Sequence, residues 1–245
     1  MKDLLLRMLP APIIVYMARK MEKLLPSERL VQNRYFEGLR VPERKTRHSV
    51  IVAAIGLVGS GKSTVAKYLA DLIGAVVISG DEIRILLRNE GVGYDKARLI
   101  GENVLRAVIT AGGSIVLDSD FVDKNKRESL RQIAKKAGAK LYFVRTICDF
   151  DVLSQRIREN DPGEFFNEAE TKSASVNHGR DVKFREMLRR LPQHYKWQNI
   201  SGGKLALRKF PFVTFETVDT TTDAWKDSIN SIAVSILHEL QKKSG

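Results

Sequence analysis

GLVGSGKST (residues 56–64) stands between two segments of different periodicity. The preceding run SVIVAAI (49–55) is continuously apolar and rich in Val and Ile, which predicts a strand buried on both faces. In the following segment, apolar residues from Val65 to Ile73 recur at helical spacing, and Gly74 occupies a helix C-cap position. The stretch is therefore predicted to be the turn that joins a buried strand to a helix.

The same stretch matches the phosphate-binding P-loop pattern, which requires a strand before it and a helix after it. Glycines allow successive N–H groups to turn toward phosphate oxygens, and the helix N-terminus adds a positive dipole. Lys62 is expected to reach the β- and γ-phosphates, and the Ser63 hydroxyl is expected to bind Mg²⁺. We therefore predict ATP and Mg²⁺ as cofactors, with the nucleotide held by Gly56, Val58, Gly59, Ser60, Gly61, Lys62, Ser63 and Thr64.

Further apolar runs predict the rest of a sheet. Strands are expected at 75–79, 112–118, 140–147 and 210–218, and helical patterns separate them. This alternation predicts an α/β P-loop NTPase fold, with a five-stranded parallel sheet and helices on both faces. Ligands of such sheets bind beyond the carboxyl ends of the strands. We predict a domain at 49–245 with a lid-like polar segment at about 161–203, preceded by a basic helical appendage and linker at 1–48.

The net charge of +12 favours an anionic partner such as nucleic acid, a nucleotide or anionic lipid. Residues 1–48 hold 11 Lys/Arg against 5 Asp/Glu, so half of the excess lies in this segment. Its apolar stretches are interrupted by charges and prolines, and no transmembrane helix is expected. An amphipathic helix docked on the domain is favoured over a helix on a membrane surface. The single cysteine, Cys148, indicates a reducing, cytoplasmic compartment and a packing role.

A P-loop serves kinases, GTPases and motor ATPases alike. A GTPase requires a guanine-binding Asn-Lys-x-Asp motif after a later strand, whereas that strand here ends RTICDFD. A motor requires a glutamate beside the carboxylate at a strand end, whereas IVLDSDF (115–121) supplies Asp118 with no adjacent Glu. The small domain and the polar lid-like segment favour a kinase.

The segments VIVAAIGLVGSGKSTVAKYLA, VVISGDEIR and GGSIVLDSDF resemble the P-loop kinases of the polynucleotide 5′-hydroxyl kinase and zeta-toxin type, a group of AAA-type kinases. Gluconate and chloramphenicol kinases are similar, less closely. The resemblance covers roughly residues 50–160, together with TVDTT (217–221), which is similar to the turn near the adenine base. The Asp-x-x-Arg after the second strand is more selective than the P-loop, which many proteins share.

The resemblance implies roles on the acceptor side. Asp81 would accept the proton of the attacking hydroxyl, and Arg84, one turn later on the same helix face, would hold the acceptor's own phosphate. Asp118 would orient the acceptor or magnesium. Asp120 stands where the family more usually has Asn. This departure from the family pattern affects the detailed contacts that the resemblance implies for the acceptor. Arg156 is the expected lid arginine, and the rival candidates are Arg158, Arg180 and Arg185.

Simpler structural roles compete with these assignments. Asp81 could be the N-cap of its helix, and Arg84 could pair with a neighbouring acid. The basic and aromatic segment 178–198 suits stacking on nucleic-acid bases, but it suits a partly buried amphipathic helix equally well. The four histidines are scattered and suggest no metal site.

The predicted reaction is transfer of the γ-phosphate of ATP to the 5′-hydroxyl of a polynucleotide. A small-molecule kinase of the zeta-toxin or antibiotic-phosphotransferase type is the first alternative. A nucleotide-dependent nucleic-acid-binding module is the second.

Overall fold

A computed structural model describes residues 24–42, 48–160, 176–198, 204–212 and 214–241. Its helices are α1 (Pro26–Glu37), α2 (Lys62–Ile73), α3 (Gly80–Asn89), α4 (Ala97–Thr110), α5 (Lys124–Ala137), α6 (Phe150–Glu159), α7 (Val176–His194) and α8 (Trp225–Gln241), with a 3₁₀ turn at Tyr94–Lys96. Its strands are β1 (Val50–Ile55), β2 (Ala75–Ser79), β3 (Ser114–Asp118), β4 (Lys140–Ile147), β5 (Tyr195–Gln198), β6 (Lys204–Leu207) and β7 (Glu216–Asp219).

Five strands form one parallel sheet in the order β2-β3-β1-β4-β7. The predicted five-stranded parallel fold is therefore confirmed. The central strand β1 is buried at every residue, and the phosphate loop begins where this strand ends. At the neighbouring strand ends, Asp118 of β3 pairs in register with Ser79 of β2. The ends of β1, β3 and β2 thus bring the phosphate loop, Asp118 and the start of α3 to one edge of the sheet.

Two apolar layers cover the sheet. Helices α1, α3, α4 and α5 contribute side chains to the core on one face, and helices α2 and α8 contribute them on the other. Helix α2 ends as predicted at Gly74, and α5 ends at Gly138, both with positive φ. Among the described residues, no helix is long and apolar enough to cross a membrane.

Helix α1 lies in the predicted N-terminal appendage and packs directly on the domain core. Val31, Tyr35 and Phe36 are buried within the same apolar cluster as α3 and α4. One of its polar contacts is also buried, in which Asn103 Nδ2 of α4 donates to Gln32 Oε1 at 2.8 Å. The amphipathic helix expected before residue 24 lies outside the described residues.

The fifth strand is shorter than the predicted 210–218, because β7 begins only at Glu216 and ends at Asp219. Upstream of β7, Phe210 and Phe212 stack on each other with ring centroids 5.0 Å apart. Arg145 lies over Phe210 and Arg127 lies over Phe212, at 4.1 Å and 3.7 Å from the ring centroids. These rings bury their faces against guanidinium planes, an arrangement that replaces strand pairing at this position.

The lid-like segment is described only in part. Helix α7 contains the predicted helical run 184–191, and α7 is followed by the antiparallel hairpin β5–β6, which was not predicted. Residues 161–175 and 199–203 lie outside the described part of the chain.

Candidate active site

The phosphate loop curls as its glycines allow. Gly59 and Gly61 have φ of +84° and +78°, a left-handed conformation that other residues rarely adopt. Gly61 is the N-cap of α2, so the N-terminal N–H groups of this helix open into the loop. Lys62 Nζ donates to Leu57 O at 2.9 Å across the loop. Burial lowers the pKa of Lys62, and the carboxylates of Asp120, Asp118 and Asp81 oppose that shift.

Neighbouring strands hold the loop in place. The hydroxyls of Ser60 and Thr146 share a hydrogen bond of 2.8 Å, and Thr220 Oγ1 donates to Ser60 O at 3.0 Å. Arg156 Nη1 donates to Thr220 Oγ1 at 3.1 Å, and its Nη2 donates to Thr220 O. The predicted lid arginine therefore holds Thr220, directly after β7 and beside the phosphate loop.

A cleft of about 1060 Å³ lies over the carboxyl ends of the strands. Eleven of the twelve site residues predicted from the sequence line it: Gly56, Val58, Gly59, Gly61, Lys62, Ser63, Thr64, Asp81, Arg84, Asp118 and Arg156. The twelfth, Ser60, is buried beneath the loop. The rival lid candidates Arg158, Arg180 and Arg185 are not among the residues that line this cleft.

Asp118 and Ser63 meet on the floor of the cleft. Burial raises the pKa of Asp118, while a hydrogen bond from the Ser63 hydroxyl and the charge of Lys62 oppose that shift. A hydroxyl and a carboxylate beside a phosphate loop are the hard oxygen donors that Mg²⁺ prefers. These two residues therefore fit the predicted magnesium ion.

Asp81 and Arg84 of α3 both line the cleft. The alternative that Asp81 caps α3 is wrong, because the N-cap is Ser79, whose Oγ accepts from Glu82 N at 3.4 Å. Asp81 is therefore not needed to cap the helix, and its side chain is 57% exposed. Arg84 Nη1 donates to Asp81 Oδ1 at 2.7 Å, so the ion pair considered for Arg84 is present. Asp81 and Lys62 line one cleft and interact electrostatically.

Asp120 has a buried role that the sequence interpretation missed. Its Oδ1 accepts from Gly56 N at 3.4 Å and from Val122 N at 3.3 Å, and its Oδ2 lies 3.0 Å from His194 Nε2. Burial alone would raise the pKa of Asp120, but the hydrogen bond and charge of His194, with Lys62 and Arg190, hold this pKa below its usual value. One carboxylate thus ties the phosphate loop to the end of α7.

Two cations that line the cleft also escaped the sequence interpretation. Lys126 Nζ donates to Asp120 O at 3.3 Å, and Arg190 of α7 pairs with Glu186 and approaches Asp120 Oδ2 at 3.5 Å. Burial lowers the pKa of Lys126, and the nearby positive charges of Arg190 and Arg84 lower it further. Like charges held this close favour an anion between them.

Sequence signals for these residues were weak. Lys126 lies in the first turn of α5, a position where a basic residue is unfavourable to the helix dipole and so indicates another role. His194 and Asp120 lie 74 residues apart, and no local pattern links them.

The fold, the phosphate loop and the Asp81 carboxylate in the same cleft together define a P-loop protein with a kinase-type site. Residues 51–181 match the AAA_33 family, described as an AAA domain. This match spans more than half of the chain, and the chain belongs to that family.

Sequence relatives of this chain share about three residues in ten. The adenylyl-sulfate kinase of Buchnera aphidicola is 30% identical over 152 residues, which cover 54% of this chain and 66% of that protein. An uncharacterized protein of Mycobacterium tuberculosis is 29% identical over 137 residues, which cover 49% of this chain. The chain spans only 28% of the length of that mycobacterial relative.

Among solved structures, a candidate kinase from Chloroflexus aurantiacus aligns with a TM-score of 0.50 and 19% identity. The alignment covers 80% of this chain and 100% of the other. At this level of identity the likeness concerns the fold.

Proposed function

We propose that the protein is an ATP-dependent phosphotransferase that moves the γ-phosphate to a hydroxyl of an anionic acceptor. The observation that carries the proposal is the position of Asp81, an exposed carboxylate that faces the same cleft as Lys62 and is not needed as a helix cap. Phosphoryl transfer requires positioning and charge stabilisation more than covalent chemistry, and the residues of this cleft suit both tasks.

Each residue has a distinct task in this scheme. The phosphate-loop N–H groups and Lys62 hold the triphosphate and stabilise the charge on the transferring group. Ser63 and Asp118 would hold Mg²⁺, which supplies positive charge to the phosphate oxygens. Asp81 orients the acceptor hydroxyl for in-line attack and takes its proton as the bond to phosphorus forms. Arg156 fixes the nucleotide-side turn, and Arg84 exchanges its contact with Asp81 for one with the acceptor's anion.

The acceptor is proposed to be a small anionic molecule. The relative named adenylyl-sulfate kinase supports a small acceptor, and Arg84, Lys126 and Arg190 supply the charge that an anionic one requires. A polynucleotide 5′-hydroxyl end, the acceptor predicted from the sequence, is the second candidate. The net charge of +12 favours this second candidate, since a polynucleotide carries many phosphates.

A label-transfer assay separates these acceptors. The protein is incubated with magnesium and γ-labelled ATP beside a panel of phosphorylated and sulfated hydroxyl metabolites and 5′-hydroxyl oligonucleotides. Label on a metabolite supports the small acceptor, and label on the oligonucleotides alone supports the polynucleotide. Loss of all transfer in Lys62→Ala is the expected control. If the wild-type protein binds ATP but the label appears only in inorganic phosphate, the kinase proposal is wrong.

A further inference from the structure

A second cavity lies beside the cleft, with a volume of about 120 Å³. It lies between the ends of β2 and β3 and helices α3, α4 and α5 and is partly open. Its walls are mainly apolar and include Ile78, Ile83, Leu105, Leu117, Leu130 and Ile133. We call this cavity the side chamber.

The side chamber meets the cleft at a charged mouth. Three residues line both cavities, namely Arg84, Ser119 and Lys126. Arg84 follows Asp81 by one turn of α3 and contacts it directly. The mouth therefore lies beside the carboxylate assigned to the acceptor hydroxyl.

Two of the charged groups that line the chamber, Arg98 and Glu102, already pair with each other. Arg98 Nε donates to Glu102 Oε1 at 2.9 Å, and Ser129 Oγ donates to the same oxygen at 3.0 Å. A guest in the chamber would therefore meet mainly apolar surface inside and two cations at the mouth.

We propose that the acceptor carries an apolar group the size of a single ring, which fills the side chamber, and an anionic group, which binds at the mouth. This inference rests on the proposed function and specifies its substrate class. An apolar cavity of about 150 Å³ is known to accept benzene, so a chamber of about 120 Å³ suits a ring of that size or a short branched chain. A polyhydroxylated sugar or a phosphodiester would lose hydrogen bonds to water there without replacing them.

Binding of model compounds tests the chamber without any need for catalysis. The full chain is titrated with phenyl phosphate, glycerol 1-phosphate and inorganic phosphate, while NMR follows isoleucine δ-methyl signals. We expect phenyl phosphate to bind at least ten-fold more tightly than glycerol 1-phosphate. We also expect it to shift the signals of Ile78, Ile83 and Ile133, with Ile229 in the opposite core unchanged.

A narrowing variant provides the matched control. Gly101 lines the chamber, and a Cβ at this position would meet only Ile83 Cδ1, at an ordinary 3.5 Å. Gly101→Ala should therefore fold normally, lower the affinity for phenyl phosphate several-fold and leave the affinity for inorganic phosphate unchanged. Equal affinities for phenyl phosphate and glycerol 1-phosphate, or unshifted chamber isoleucines, would overturn the proposal. Because no phosphate is transferred in this experiment, its failure is distinct from a failure of the kinase activity.

Discussion

Two aspartates at the end of β3, two residues apart in sequence, have pKa values shifted in opposite directions. Burial raises the pKa of Asp118, whereas His194, Lys62 and Arg190 overcome burial and lower the pKa of Asp120. Both aspartates line the cleft, but Asp118 meets the Ser63 hydroxyl, whereas Asp120 is buried and contacts His194. Asp118 therefore suits a magnesium ligand, and Asp120 suits an ionic contact within the protein.

The shift of Asp118 predicts how magnesium dependence varies with pH. Its raised pKa means that a proton competes with Mg²⁺ at a higher pH than for an ordinary aspartate, so magnesium-dependent ATP binding should weaken as pH falls through that pKa. Ser63→Ala removes the hydrogen bond that lowers this pKa, and the weakening should then begin at a higher pH. Calorimetric titration of ATP with magnesium from pH 5 to 8 measures this, and Ser63→Thr, which keeps a hydroxyl, should behave like the wild type. Identical profiles for Ser63→Ala and wild type would contradict the assignment.

The lowered pKa of Asp120 predicts how the stability of the fold varies with pH. A lowered folded-state pKa stabilises the fold above the unfolded value of about 3.9, and this contribution disappears as pH falls through the folded value. Asp120→Asn should therefore reduce the free energy of unfolding at pH 7 by about 1–3 kcal/mol. The difference from wild type should shrink below about pH 4. Denaturant unfolding measures it, and Asp123→Asn is the control, since Asn caps α5 as well as Asp. A difference that does not change with pH would argue against a charged Asp120.

At the scale of elements, α1 holds both ends of the helix that bears Asp81 and Arg84. Ser79 N, at the start of α3, donates to the Tyr35 hydroxyl at 2.7 Å, and Arg34 pairs with Glu90 at the end of the helix. Helix α1 lies outside the segment matched by the AAA_33 family. This chain thus supports α3 with a helix that lies outside the matched segment.

Tyr35→Phe tests this support. The variant leaves the buried Ser79 N–H without its partner, which should cost about 1–3 kcal/mol of stability and loosen the start of α3. Phosphate transfer should fall, while ATP affinity stays unchanged because the phosphate loop is held by other contacts. Tyr68→Phe, which removes an exposed 3.2 Å contact with Asn230, serves as the control in both unfolding and label-transfer assays. An unaltered transfer rate in Tyr35→Phe would show that this contact of α1 does not support phosphate transfer.

The elements show what could be predicted from the sequence. The phosphate loop could be predicted from its residue spacing, and the strands at 49–55, 75–79, 112–118 and 140–147 could be predicted from their apolar runs. Asp81 could be singled out because it directly follows the second strand. The phosphate loop and Asp81 line one cleft, as expected. The short β7, the β5–β6 hairpin and the Asp120–His194 contact could not be predicted, since each depends on partners distant in the chain. Phe210 and Phe212 have the sequence pattern of a strand, but their rings pack against Arg145 and Arg127 instead of joining the sheet. Only the fold brings these two arginines to the rings.

At the scale of the whole molecule, the division at residue 48 remains a prediction, and α1 makes it testable. Deleting residues 1–48 would expose core surface that Val31, Tyr35 and Phe36 now cover. Burial of each such side chain is worth about 1.5–3 kcal/mol, so the shortened chain should unfold at a markedly lower temperature. A calorimetric scan checks this, and an unchanged unfolding temperature would show that the appendage is a separate unit.

The central claim is that Asp81 is the base of a phosphotransferase whose nucleotide site does not depend on it. The most direct measurement compares Asp81→Asn with wild type in two ways: ATP affinity by calorimetry and single-turnover transfer of label from γ-labelled ATP to the acceptor found in the panel. We predict an ATP affinity within about two-fold of wild type, together with a loss of transfer of about 10²–10⁴-fold, the range of general-base catalysis. Transfer at the wild-type rate in Asp81→Asn would contradict the account.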